Sequence, residues 1–173
     1  SRDCASGTDR LAQAAAAIDA DIYVNIQGDE PMMSAENIDR VVATLLAGAD
    51  RDIATLAIPM PAEEASDPNA VKVVAARDGR ALYFSRSPIP FFRAGRPSYR
   101  KHLGLYVYRA AALARLAALP PSPLEKAESL EQLRWLEAGE RIWVGEAATD
   151  SIGVDTPADL RRVELLLRKE AVS

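Results

Sequence analysis

The chain is short of cysteine, of histidine, of basic excess and of long apolar runs, and each shortage closes off a class of protein. Cys4 is the only cysteine in 173 residues. That excludes a disulfide framework and a cysteine-based zinc site, and it fits a reducing, cytoplasmic compartment. His102 is the only histidine, and no Ser-His-Asp order, zinc-ligand spacing or complete GxGxxG is present. No apolar run approaches the ~20 residues that span a bilayer, so no membrane partner is expected. Lys and Arg number 21 against 25 Asp and Glu, for a net charge of −4 and a pI near 5.1. A nucleic-acid scaffold would normally be basic, so no nucleic-acid partner is expected. A nucleotide ligand stays open, because a small triphosphate needs only a local patch and a metal.

What is present is ordinary globular material: 49% hydrophobic and 27% charged residues, enough for one domain over 1–173 with a real core. The stretch IYVNIQGDEP, Ile22 to Pro31, is the most informative. Ile22, Val24 and Ile26 alternate with Tyr23, Asn25 and Gln27, the period-two pattern of a strand on a core. The strand stops at Gly28, an exposed carboxylate pair Asp29 and Glu30 follows, and Pro31 blocks extension. In open α/β sheets ligands sit beyond the carboxyl ends of strands, so this is either an ordinary Gly-Asp turn or an acid holding a metal-bound phosphate.

Around it the elements follow in order. Thr8 is an N-cap candidate for an alanine-rich helix over 9–18. Ser34 caps AENIDRVVATLLAG, whose Ile38, Val41, Val42, Leu45 and Leu46 have helical spacing and whose stop is Gly48. DIATLAIP, Asp52 to Pro59, reads as a strand, and the β-turn-α-β order places it parallel to the strand at 22 in one sheet. VKVVAARDGRALYFSR is a hairpin turned at Asp78-Gly79. In HLGLYVY, Leu103, Leu105 and Val107 fall on one side and His102, Gly104, Tyr106 and Tyr108 on the other. LEKAESLEQLRWLEAG reads as one helix ending at Gly139, with Leu124, Glu128, Glu131 and Trp135 on a single face that is either solvated or borders a polar cavity. RIWVGEA is a short strand. Thr156 caps a last helix with Pro157 at its first position and Asp159 in its first turn.

Residue chemistry alone marks three candidate places. Gln27 and Asp29 end the first strand. Asp155, in GVDTP, sits in a second strand-exit turn and is either a pre-helix turn residue or a partner of Asp29 for a hard cation such as Mg²⁺. His102 and Tyr106 point the same way from one strand. The basic cluster Arg86, Arg93, Arg96, Arg100 and Lys101 is either a solvated loop or a means of neutralising an acidic substrate.

Taken together, SGTDRL (Ser6 to Leu11), VNIQGDEP (Val24 to Pro31), NAVKVV (Asn69 to Val74), ALYFSRSPIP (Ala81 to Pro90), KHLGLYVYR (Lys101 to Arg109), PPSPLEKAESLEQLRWLEAG (Pro120 to Gly139) and GVDTPADL (Gly153 to Leu160) resemble the CMP-KDO synthetase family. These enzymes are the cytidylyltransferases that activate 3-deoxy-D-manno-octulosonate (KDO) for lipopolysaccharide biosynthesis. No single motif is very specific; seven in order, end to end, are.

The resemblance implies a three-layer α/β nucleotidyltransferase fold with a mixed, mainly parallel sheet. It also implies a hairpin-containing subregion over about 80–135 for sugar binding and homodimer contact. Asp29 and Asp155 match the magnesium-binding, catalytic aspartates. Ser6, Arg10 and Gln27 lie in nucleotide-contacting segments, while Arg86, His102, Tyr106, Glu131 and Gln132 match positions around the sugar and its carboxylate. The substrates implied are CTP and KDO, giving CMP-KDO and pyrophosphate. Within the class the alternatives are a CMP-sialic acid synthetase or a modified-KDO cytidylyltransferase; outside it, a non-catalytic nucleotide-sugar binding module. The family begins with a strand and a Gly/Arg/Lys loop around the triphosphate. The present sequence opens on SRDCASGTDRL without them, so an N-terminal portion is expected to be missing and this piece alone is expected to be inactive.

Overall fold

The computed structural model describes residues 7–154 and 156–170. Helix α1 covers Gly7–Ala15. It begins one residue earlier than Thr8, whose side chain is buried within the first turn and caps nothing. Strand β1 is Ile22–Ile26. Ser34 caps α2, Ala35–Leu46, by accepting from the Asn37 N–H at 3.2 Å. Strand β2 is Ile53–Met60, and β3 (Lys72–Ala75) and β4 (Ala81–Ser85) form the expected hairpin, with Gly79 at φ +90°. Strand β5 runs the full length of Tyr99–Arg109 and leads directly into α3, Ala110–Ala117.

The predicted single helix over 124–139 is two: α4, Pro123–Glu128, and α5, Gln132–Glu137. A capping box between Ser122 and Glu125 starts α4, and Ser129 ends it in the left-handed region at φ 52°, ψ 48°. The shared face of Leu124, Glu128, Glu131 and Trp135 therefore does not exist. Trp135 is core, Leu124 is exposed, and the two glutamates serve different places. Strand β6, Ile142–Glu146, and helix α6, Pro157–Glu170, complete the chain. Thr156 and Asp159 exchange hydrogen bonds across the start of α6.

Six strands form one mixed sheet in the order β4-β3-β5-β2-β6, with β1 on β5 beside β3. β1, β2, β3 and β6 run one way and β4 and β5 the other, so most strands do share a direction. Because β5 lies in the middle, however, β2–β6 is the only parallel pair among the described residues. β1 and β2 are parallel in one sheet as expected, with β5 between them.

The alternation in β5 sorts the core. Leu103, Leu105 and Val107 pack with Val41 and Leu45 of α2 on one face of the sheet. Tyr106 and Tyr108 pack on the other with Leu113 and Leu116 of α3 and Leu133 and Trp135 of α5. Helices thus cover both faces, giving three layers. The hairpin tip bends round to the outer edge of β6, where the Val144 N–H donates to the Gly79 carbonyl at 2.8 Å.

Candidate active site

One edge of β5 is shared by two strands. β1 pairs with its far end, as far as Ile26 opposite Leu105, and β3 meets it again only at Lys101. The carboxyl end of β1 therefore faces the start of β3 across an unpaired stretch around Gly104. This is the position where a sheet with switched connections opens a crevice. A cavity of about 1040 Å³ lies there.

β5 is bulged at the same place. Thr55 pairs with Tyr106 while its neighbour Leu56 pairs with Leu103, and the Thr55 hydroxyl fills the irregularity. Its Oγ1 lies 2.8 Å from the Leu105 carbonyl, 3.3 Å from that of Leu103 and 2.9 Å from His102 Nε2. Gly104 belongs to the bulge. A Cβ at that position would stand 3.2 Å from Glu30 Oε1 and 3.4 Å from Gln27, so glycine allows the acidic turn to approach β5.

The acidic turn is anchored from two sides. Glu30 accepts from the Gly104 N–H at 3.4 Å and, at its other oxygen, from the Ser151 hydroxyl. The Val154 N–H donates to the Asp29 carbonyl at 2.8 Å. Glu30 is thus half-buried and committed to structure, not one of an exposed pair as its sequence context implied. Asp29 is exposed, lines the cavity, and no described residue pairs with its carboxylate.

Eight of the ten predicted site residues line this one cavity. Arg10 comes from α1, Gln27 and Asp29 from the exit of β1, Arg86 from the end of β4, His102 and Tyr106 from β5, and Glu131 and Gln132 from the start of α5. Ser6 and Asp155 lie outside the described residues. His102 and Tyr106 do share a direction, with ring centroids 5.3 Å apart. Burial pushes the His102 pKa down to about 3, so the ring is neutral at physiological pH. Burial also raises the Tyr106 phenol, with Tyr108 and Glu131 adding to the effect.

Among the described residues, the Tyr106 hydroxyl and Glu131 Oε1 are buried and have no hydrogen-bond partner. Unpaired buried polar atoms cost on the order of 1–3 kcal/mol each, and in a cavity wall they mark positions made for a ligand's own polar groups.

The basic cluster disperses. Arg93 and Arg96 are exposed, Arg100 pairs with Glu146 and Lys101 with Asp150. Only Arg86 reaches the cavity, and its guanidinium already donates to the carbonyls of Pro68 and Glu128 at 2.8 Å and of Ser129 at 3.3 Å. The cluster does not form a single anion patch.

Asn69 and Lys126 also line the cavity and went unmarked in the sequence, where a loop asparagine and a helical lysine look like any solvated pair. Among the described residues no three His, Cys, Asp or Glu side chains gather as a metal cluster. A single unpaired carboxylate beside a polar cavity is nevertheless the donor type that Mg²⁺ uses with phosphate oxygens and water.

The cytidylyltransferase family model matches residues 1–142. The 3-deoxy-manno-octulosonate cytidylyltransferase of Acidobacterium capsulatum is 58% identical over 167 residues, covering 95% of this chain and 68% of that protein. The enzyme of the same name from Koribacter versatilis is 49% identical over 165 residues, covering 94% of this chain and 63% of its own length. The chain thus spans about two thirds of the length of these curated relatives.

A solved structure of CMP:2-keto-3-deoxy-manno-octonic acid synthetase complexed with CTP superposes with a TM-score of 0.91 at 44% identity, over 97% of this chain and 70% of that one. The family model, these identities and the shared fold together show that the chain belongs to the cytidylyltransferase family, among the 3-deoxy-manno-octulosonate cytidylyltransferases.

Proposed function

We propose that the whole protein transfers the cytidylyl group of CTP to 3-deoxy-D-manno-octulosonate. The anomeric hydroxyl of the sugar gives up its proton to solvent as its oxygen bonds to the α-phosphorus. The bond from that phosphorus to the β-phosphate bridging oxygen breaks, and pyrophosphate leaves with the bonding electron pair. The observation that carries this reading is the 58% identity to a relative of that name over 95% of the chain. The convergence of eight of the residues that the sequence singled out on one cavity supports it.

On this reading the cavity has two ends. Gln27 and Arg10, with Ser6, receive the nucleotide at the β1 exit. Asp29 with Asp155 would hold Mg²⁺, whose chemistry when bound is the neutralisation of phosphate charge. The hydrogen bond from Val154 to the Asp29 carbonyl supports this pairing from the residue preceding Asp155.

At the other end neutral His102, the Tyr106 hydroxyl, Glu131 and Gln132 offer a mixture of acceptors and donors suited to sugar hydroxyls. Arg86 completes that wall beside the sugar carboxylate. Holding both substrates in line is most of what such a transfer requires of a protein.

The protein acts as a homodimer through the 80–135 subregion, a reading supported by the exposure of Leu82 and Phe91 there. Its place is the cytoplasm, supported by the single cysteine. Among the described residues no helix is long and apolar enough to cross a membrane.

The test is pyrophosphate release by the complete gene product with Mg²⁺ and CTP. Release with KDO and not with N-acetylneuraminate is the expected result. Preference for N-acetylneuraminate would reassign the substrate, and CTP binding without release under either sugar would favour a non-catalytic module.

A further inference from the structure

Lys72 has no exposed surface at all, and a lysine so deeply buried ordinarily has a carboxylate on its ammonium. This one has two carbonyls instead. Its Nζ donates to Asp67 O at 2.9 Å and to Arg86 O at 2.5 Å. Burial lowers its pKa, while the nearby charges of Asp67 and Glu128 counteract that and Arg86 adds to it.

Arg86 is held from its other side as well. Its N–H donates to one oxygen of Glu128 at 2.9 Å, and the Ser85 hydroxyl donates to the other at 2.6 Å. Its guanidinium then reaches Pro68 O, Glu128 O and Ser129 O. One connected set thus ties together the 67–72 segment, the end of β4 and the 128–129 turn. Ser129 is the one described non-glycine residue with a positive φ, a conformation that persists only where surrounding contacts over-determine it. Two residues later the chain presents Glu131 and Gln132 to the cavity.

We propose that Lys72 is a positioning residue for the sugar-facing end of the cavity. Its ammonium fixes the backbone of Arg86, whose guanidinium clasps the Ser129 turn and so sets where Glu131 and Gln132 stand. The Asp29 end is held separately, by Val154 and Ser151, and does not depend on this clasp. The inference rests on the two-ended reading of the site given above.

The experiment measures CTP and KDO binding by calorimetry, and both KM values, with the complete protein and its Lys72→Met variant. Methionine keeps the chain as far as Cε and removes the donor. The expected result is a loss of KDO affinity of about tenfold or more, with CTP affinity within about twofold, a split that general destabilisation does not produce. Glu128→Gln, which takes an acceptor from the other side of the same clasp and does not line the cavity, should show the same selective loss even if Lys72→Met folds poorly. The double variant should be no worse than the poorer single one, because both act through one clasp. Equal losses for both substrates, or additive losses in the double variant, would overturn the inference. A parent protein that binds CTP but not KDO would overturn the two-ended reading itself, and this inference with it.

Discussion

Thr55 Oγ1 stands 2.9 Å from His102 Nε2 and 2.8 Å from the Leu105 carbonyl, and this sets the tautomer expected of the one imidazole in these 173 residues. A hydroxyl has one proton, and a carbonyl can only accept, so that proton goes to Leu105. His102 Nε2 must then carry hydrogen and donate to Thr55, leaving the lone pair on Nδ1. With the pKa brought down to about 3 by burial, nitrogen NMR should show one neutral Nε2–H tautomer, unchanged between about pH 5 and pH 8. A midpoint within that range would refute the assignment. The folded pKa lies below the unfolded value of about 6.5, so the neutral ring's contribution to stability is complete above that pH. It is lost progressively as pH falls towards 3. Thr55→Val would leave the imidazole N–H buried without an acceptor, at a cost of about 1–3 kcal/mol in denaturant unfolding.

Gly145 lets α2 lie directly on β6. A Cβ built on it would meet Thr44 Oγ1 at 2.2 Å, Leu56 Cδ2 at 2.9 Å and Thr44 Cβ at 3.2 Å. Thr44 has little freedom to turn away, since it is β-branched and its hydroxyl donates to the Arg40 carbonyl at 2.8 Å. Gly145→Ala should therefore destabilise the protein by about 1–3 kcal/mol, read as a lower melting temperature. Thr44→Ala in the same chain should recover part of it. Additive losses would show that the two sites are not in contact.

The parts that were legible in the sequence share a cause: they rest on local patterns. The two-residue alternation of β5 correctly divided Leu103, Leu105 and Val107 from Tyr106 and Tyr108; Ser34 and Thr156 act through bonds within a few residues, and Gly79 through its own positive φ. The break at Ser129 was not legible because continuous helical spacing outweighs a serine unless tertiary partners are known. The fixing of those partners, Arg86 and Glu128, involves residues more than forty positions apart. Glu30 and Lys72 were misjudged or missed for the same reason, since their roles depend on Ser151 and Arg86. The insertion of β5 between β1 and β2 is likewise a long-range choice that local periodicity does not contain.

Arg134 and Glu125 hold α4 against α5 through two hydrogen bonds, Nη2 to Oε1 at 2.5 Å and Nε to Oε2 at 2.8 Å, with both side chains mostly buried. The guanidinium keeps the Glu125 carboxyl below the usual carboxylate range, against the opposing effect of burial. Because the folded pKa is depressed, this stabilisation is fully present above the unfolded value of about 4.3 and disappears as pH falls below it. Arg134→Met should cost about 3 kcal/mol at neutral pH by leaving a mostly buried carboxylate unpaired. The loss should shrink on acidification below pH 4, and a pH-independent loss would contradict the ion-pair account.

Asp29 is where chemistry and fold can be separated most cleanly. Its carbonyl, not its carboxylate, takes the structural hydrogen bond from Val154, so Asp29→Asn keeps the side-chain volume and the backbone contact. The melting temperature should move by no more than about 2 °C, since exposed substitutions usually alter stability by less than 0.5 kcal/mol. If the carboxylate is a metal ligand, calorimetry on the complete protein should show the Mg²⁺-dependent part of CTP binding fall by about tenfold or more. Binding in the presence of chelator should be unchanged. Asp155→Asn should behave alike, and the double variant should be no worse than the poorer single one, since one ion is lost only once. Metal-dependent binding that survives in Asp29→Asn would place the ion on other ligands and leave Asp29 as a turn residue.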